Sequence, residues 1–93
     1  MAIIVRSRRH HLPHDHEQDT FEDALVFAWL VHDSGDSWVE SLQVNGKVVT
    51  DANWLDSFYT ACARAFDRDR GGLQQVFARF AAELAARVQP GTP

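Results

Sequence analysis

The chain reads as a small α+β domain, an antiparallel sheet of three or four strands packed under a C-terminal αα-hairpin in two layers. Three observations predict this. Asn45-Gly46 stands between two β-forming runs, the local signature of a tight hairpin. Two stretches of the second half repeat apolar residues at helical spacing, with Gly71-Gly72 between them. A β-branched run, Ile3 to Val5, lies near the start. Ninety-three residues, 45% of them hydrophobic, suit one globular domain spanning 1–93. The single cysteine, Cys62, allows no intrachain disulfide, so oligomerisation, a metal or a partner is the expected support for so small a core.

Taken in order, Ala2 to Val5 is expected to form a strand. Residues 6–18 show neither helical nor strand periodicity, and Pro13 bars a helix through them. They are expected to form a flexible arm or loop rich in His and Arg. Asp19 with Glu22 resembles a capping box. The run "ALVFAWLV" that follows is apolar on every side and ends in the turn chemistry of "HDSGDS". It therefore reads as a strand over 24–32, buried on both faces and preceded by a helical turn. The Asn-Gly turn then pairs strands 37–44 and 47–50, and Asp33 to Ser37 joins 24–32 to 37–44 in a meander.

Asp51 is the expected cap of a helix carrying Trp54, Leu55, Phe58, Cys62, Ala65 and Phe66 on one stripe. Asp67 to Gly72 breaks it. Leu73, Val76, Phe77, Phe80, Leu84 and Val88 form the next stripe, Glu83 and Arg87 pair on its exposed side, and Pro90 ends it, leaving 89–93 as a tail. A sheet covered by helices on one face only, with strand 24–32 apolar on both, leaves a second face to be covered. A second copy of the chain, as a homodimer, or another protein is the expected cover.

Charge is distributed unevenly. Residues 17–56 hold nine carboxylates against Lys47 alone, a net −8 within a chain of net −4. Residues 1–16 set three arginines against one aspartate, and residues 57–93 set five arginines against three acids. Direct binding to nucleic acid calls for the reverse, a basic stripe over the folded body, and is not expected. No apolar run is long enough to cross a bilayer or to serve as a signal-peptide core, so a cytoplasmic location without membrane contact is expected.

Chemistry-bearing residues are few. His10, His11, His14 and His16 crowd the segment "HHLPHDH", and imidazole is the commonest protein ligand for zinc and its neighbours. Structural zinc sites draw their ligands from two framed elements, whereas these lie in one run, so the segment reads first as a solvated arm and second as a zinc or other transition-metal site. Cys62 lies within a helical stripe with no base beside it, and reads as an inert thiol. His32 closes an apolar run and reads as structural. "DSGDS" lacks the alternating acids and closing glutamate of a calcium loop. No cofactor is implied and no catalytic residue is identified, so an enzyme is not expected.

What remains is an acidic surface with aromatic residues. Glu22, Asp23, Asp33, Asp36, Trp38, Glu40, Asp51, Trp54 and Asp56 are the expected contact residues for a basic protein partner, with aromatics as anchors and acids steering the encounter. A carboxylate array can stand in for phosphates. Immunity proteins against nuclease toxins and phage-encoded inhibitors of defence systems are of this type by charge and size, and no motif here ties the chain to them. The expected function is inhibition or sequestration of a basic, nucleic-acid-handling protein. Metal binding by the histidine segment and a structural role as an assembly subunit are the alternatives.

Overall fold

The computed structural model describes residues 2–68 and 72–88. It shows an α+β fold in the order β1 (Ile3–Arg9), β2 (Leu12–Gln18), α1 (Phe21–Ser34), β3 (Ser37–Val44), β4 (Lys47–Val48), α2 (Ala52–Arg68) and α3 (Gly72–Val88). The four strands form one antiparallel sheet in the order β2-β1-β3-β4. The helices lie on one side of it. α1 rests against β1 and β3, and the α2–α3 hairpin packs beside α1 and shares its core.

Residues 6–18, expected as an arm, form the second half of β1, a two-residue turn and all of β2. The turn is made by His10 and His11, both with positive φ (53° and 66°). That is the conformation a two-residue hairpin demands and one that histidine tolerates better than most residues. Pro13 fits because β2 is the edge of the sheet, where a missing N–H costs no ladder bond. Period-2 patterning fails here because β2 is charged or polar on both faces.

The second correction concerns 24–32, which is helix and not strand. Thr20 starts α1: its Oγ1 accepts the Asp23 N–H at 3.1 Å and its carbonyl accepts that of Ala24 at 3.0 Å. Thr20 therefore takes the capping role expected of Asp19. Gly35, at φ 81°, stops the helix in the left-handed conformation. Much of the run is apolar because α1 meets the sheet on one flank and α2 and α3 on another, while Val26 and Leu30 are exposed. Replacing Thr20 by alanine is expected to cost about 1 kcal/mol in a denaturant titration; an unchanged midpoint would show that the cap is idle.

With 24–32 in a helix, β3 pairs with β1 instead of closing the expected meander. Ile3, Val5 and Ser7 point to the helices and are buried, as are Val39, Leu42 and Val44 on β3. Glu40 is the extra residue of a bulge, since Ser7 lies opposite Val39 and Arg6 opposite Ser41. The Asn-Gly turn forms as expected, with φ of 53° and 78°. β4 is only two residues long, and Val49 and Thr50 continue the contact through the Leu42 backbone, the Val49 N–H donating to its carbonyl and Thr50 Oγ1 accepting its N–H.

In α2 and α3 most of the expected stripes face the core, with Leu73, Val76 and Val88 partly buried and Phe66, at the end of the α2 stripe, exposed. Trp54, Leu55, Phe58 and Cys62 are buried on one, and Phe77, Phe80 and Leu84 on the other. Glu83 and Arg87 pair at 3.8 Å. Of the "DRDRGG" break, Asp67 and Arg68 end α2 and Gly72 opens α3, while residues 69–71 and the expected tail at 89–93 lie outside the described residues. Among the described residues no helix is long and apolar enough to cross a membrane.

Candidate interaction surface

The outer face of the sheet mixes paired charges with Ile4, Trp38 and Val48. Arg6 sets two nitrogens on the Asp15 carboxylate, at 2.9 and 3.0 Å, and Arg8 pairs with Glu40. The Arg6 fork holds the Asp15 carboxyl below its ordinary range. Asp36 is held low first by the hydroxyls of Ser34 and Ser37 and then by Arg9, whose guanidinium lies 3.3 Å away. The expected second apolar face rested on strand 24–32, which is a helix; the sheet face left uncovered by the helices is the outer one, carrying Trp38 and Val48 among its polar residues.

The nine expected contact residues do not share one surface. Trp38 stands on the outer sheet face, 47% exposed, in register with Arg8. Trp54 is no surface anchor: it is 7% exposed, its Nε1–H donates to Glu83 at 3.1 Å, and its ring meets Phe80 edge-on at 5.3 Å. Asp51 caps α2, its Oδ1 accepting the Trp54 N–H at 2.7 Å. Asp36 and Glu40 are neutralised by Arg9 and Arg8. Asp33 is exposed at the last turn of α1, and Asp56 is exposed on α2.

Glu22 and Asp23 remain, and they border a groove. They lie in the first turn of α1, directly after Asp19, while Glu17 stands on the outer face of β2, opposite Ile4. None of these four carboxylates has an ion pair among the described residues. Their charges also complement the positive end of the α1 dipole. A groove of about 600 Å³ opens beside them, walled by Thr20 to Asp23 and by Ala78, Ala81, Ala82 and Ala85 of α3. On the other side Asp23 also borders a smaller groove formed by Gln18, Val26, Phe27 and Leu30. Leu30 is 60% exposed, although it lies in the most apolar run of the chain. This corner therefore sets unpaired negative charge between two apolar channels. Sequence reading placed Glu22 and Asp23 in the contact set but missed Glu17, Asp19 and the alanine wall. The i, i+4 exposure of Val26 and Leu30 becomes legible only once the run is known to be a helix.

The histidines are spread over the β1–β2 hairpin. His10 and His11 occupy its turn, while His14 and His16 share the helix-facing side of β2, opposite Ser7 and Val5. His16 packs on Phe27 at 4.4 Å, and its ring lies 6.4 Å from that of His14. Among the described residues no three His, Cys, Asp or Glu side chains gather as ligands of one ion. His32 lies flat on Tyr59, at 3.9 Å and 9° between planes, and Trp29 follows it at 5.8 Å. Cys62 is fully buried, and burial pushes its thiol up to about 12. Comparison of the chain with protein-family models, with curated proteins and with solved structures gives no match.

Proposed function

We propose that the protein is a non-enzymatic binding module which inhibits or sequesters a basic, nucleic-acid-handling protein, taking it at the acidic corner formed by β2 and α1. One observation carries the reading. Glu17, Asp19, Glu22 and Asp23 form no ion pair among the described residues, whereas Asp15, Asp36 and Glu40 are each matched to an arginine. Asp19, Glu22 and Asp23 follow closely at the start of α1, with Glu17 on the outer face of β2, and such uncompensated carboxylates attract a cationic surface over a Debye length, about 8 Å at physiological salt. The two flanking grooves offer apolar area for the contact that follows the encounter. A basic amphipathic segment of the partner fits both properties.

The test compares two neutralised variants in affinity capture from the native host's lysate at low and high salt. Glu17→Gln/Asp19→Asn/Glu22→Gln/Asp23→Asn is expected to weaken retention of the salt-eluted partner by at least about tenfold. Asp36→Asn/Glu40→Gln is expected to retain it. Thermal melts accompany both, because loss of the α1 dipole contacts alone costs about 0.3–1 kcal/mol per charge. Equal retention by the two variants would overturn the acidic corner as the binding surface.

Val26 and Leu30 favour a second reading, self-association through the exposed flank of α1 beside the sheet edge. Recovery of the chain's own copies alone, with a dimer in sedimentation that Leu30→Glu dissolves, would establish that reading in place of the first.

A further inference from the structure

The α2–α3 side of the molecule reverses this charge pattern. Every arginine of the sheet is matched: Arg6 to Asp15, Arg8 to Glu40 and Arg9 to Asp36. Arg87 holds Glu83 and donates to the Val49 carbonyl at 3.1 Å. Arg64, Arg68 and Arg79 have no ion pair among the described residues. Acids are near enough in sequence to serve. Glu83 stands four residues after Arg79, the spacing that brings side chains together on a helix, yet its carboxylate goes to the Trp54 indole and to Arg87. Asp67 stands three residues after Arg64 and forms no salt bridge with it.

The three guanidinium groups border two adjoining pockets that meet at Arg79 and together form the groove. Arg64 and Arg68 lie about one turn apart on α2, about 6 Å along its axis. Arg79 projects from α3 and borders both halves of the channel between the helices. One half, about 420 Å³, is shared by Arg64, Arg79 and Thr60, with Asp56 at its rim. The other, about 400 Å³, is shared by Arg68, Arg79 and Gln75. The Arg79 guanidinium lies 4.8 Å over the Phe80 ring, a contact that limits its freedom.

We infer that this groove is an anion site for a short ligand carrying two or more phosphate groups. Three like charges with no ion pair among the described residues, set along two adjoining pockets, are relieved by an anion that bridges them. The planar guanidinium fork matches phosphate oxygens two at a time. Arg64 and Arg68 offer two such forks about a helical turn apart, and Arg79 reaches toward both from the opposite wall. Thr60 and Gln75 supply neutral donors. The net −8 of residues 17–56 repels a long polyanion, which favours a compact oligophosphate over an extended nucleic acid. The groove is formed by α2 and α3 alone, so it does not depend on the acidic corner or its partner.

The experiment is a low-salt titration of the intact protein with tripolyphosphate, followed by backbone amide shifts in NMR, with a short single-stranded oligonucleotide in parallel. Saturable shifts are expected in residues 57–68 and 72–80. Arg64→Gln/Arg79→Gln is expected to weaken tripolyphosphate binding by about tenfold per arginine. Lys47→Gln, which removes a cation on the β3–β4 hairpin, is expected to leave it unchanged. No saturable shift, or an affinity that survives Arg64→Gln/Arg68→Gln/Arg79→Gln in a protein that melts normally, would overturn the site. Arginine-dependent binding of the oligonucleotide without tripolyphosphate would overturn the compact ligand and make nucleic-acid backbone the source of the phosphates.

Discussion

Phe58→Ala is expected to lower the melting temperature by roughly 15–30 °C and to leave much of the protein unfolded under conditions where the wild type is folded. Phe58 is fully buried and is the largest such side chain in the chain. Its ring meets Trp54 at 6.0 Å, Tyr59 at 5.6 Å, Phe77 at 6.0 Å and Phe80 at 5.4 Å, so α2 and α3 are joined through it. Truncation removes the transfer free energy of a benzyl group and leaves a cavity walled by other rings that cannot collapse without giving up their own contacts. Such changes cost about 3–5 kcal/mol. A domain of this size has about 5–10 kcal/mol in all, so one residue accounts for a large part of it. Leu30→Ala is the control, since a 60% exposed side chain is expected to change stability by less than about 0.5 kcal/mol. A loss at Phe58 below about 1 kcal/mol would mean that the helical hairpin does not depend on this cluster.

The Phe58 contacts are the part of the fold that the sequence displays best. Helical periodicity in α2 and α3 is strong because each helix is covered on one side only, so burial and exposure alternate with the turn. The Asn45-Gly46 turn is equally plain, because few other residue pairs take two positive φ values cheaply. α1 is obscure for the converse reason. Contact with the sheet on one side and with other helices on the next makes two flanks apolar, the exposed Val26 and Leu30 complete the run, and a short all-apolar run is ambiguous between helix and buried strand. The punctuation held the answer: Thr20 and Gly35 bracket the fourteen residues of α1, more than the usual length of a strand and ordinary for a helix. β2 is obscure because its pairing with β1 is decided by backbone geometry. His10 and His11 replace the expected Asn-Gly, and Arg6 with Asp15 supplies a cross-strand ion pair that no period reveals.

The site was legible as a charge and not as a place. A sum over residues 17–56 identifies the acidic excess, but only the pairing of Asp15, Asp36 and Glu40 with β1 arginines separates carboxylates already matched from those still available. The same bookkeeping singles out Arg64, Arg68 and Arg79 from arginines that look alike in the sequence. Aromatic residues divide in the same way. Trp38 stays at the surface because its position on β3 faces away from the helices, while Trp54 turns inward at the start of α2 and finds Glu83 for its N–H.

Cys62 is expected to resist alkylation in the folded protein and to react only as the chain unfolds. Its side chain is fully buried, and desolvation pushes the thiol from its ordinary 9.0 to about 12. At pH 8 a shift of that size lowers the thiolate fraction roughly a thousandfold, before steric exclusion slows the reagent further. Iodoacetamide labelling followed by mass spectrometry should therefore rise with denaturant along the same curve as circular dichroism. Rapid labelling at pH 8 without denaturant would show an accessible thiolate and reopen Cys62 as a nucleophile. The same burial makes the fold sensitive to base. A thiol with a raised folded-state value contributes its full stability below about 9, where both states stay protonated, and that contribution is lost as pH rises from there toward 12. Burial also raises the Tyr59 phenol, with Asp56 and Cys62 adding to the effect, and its hydroxyl has no hydrogen-bond partner among the described residues. Ionising either group therefore favours the unfolded chain. Cys62→Ala should flatten the decline that begins near pH 9, and Tyr59→Phe should flatten the part above pH 10, while an unaltered profile in both variants would place the alkaline transition elsewhere.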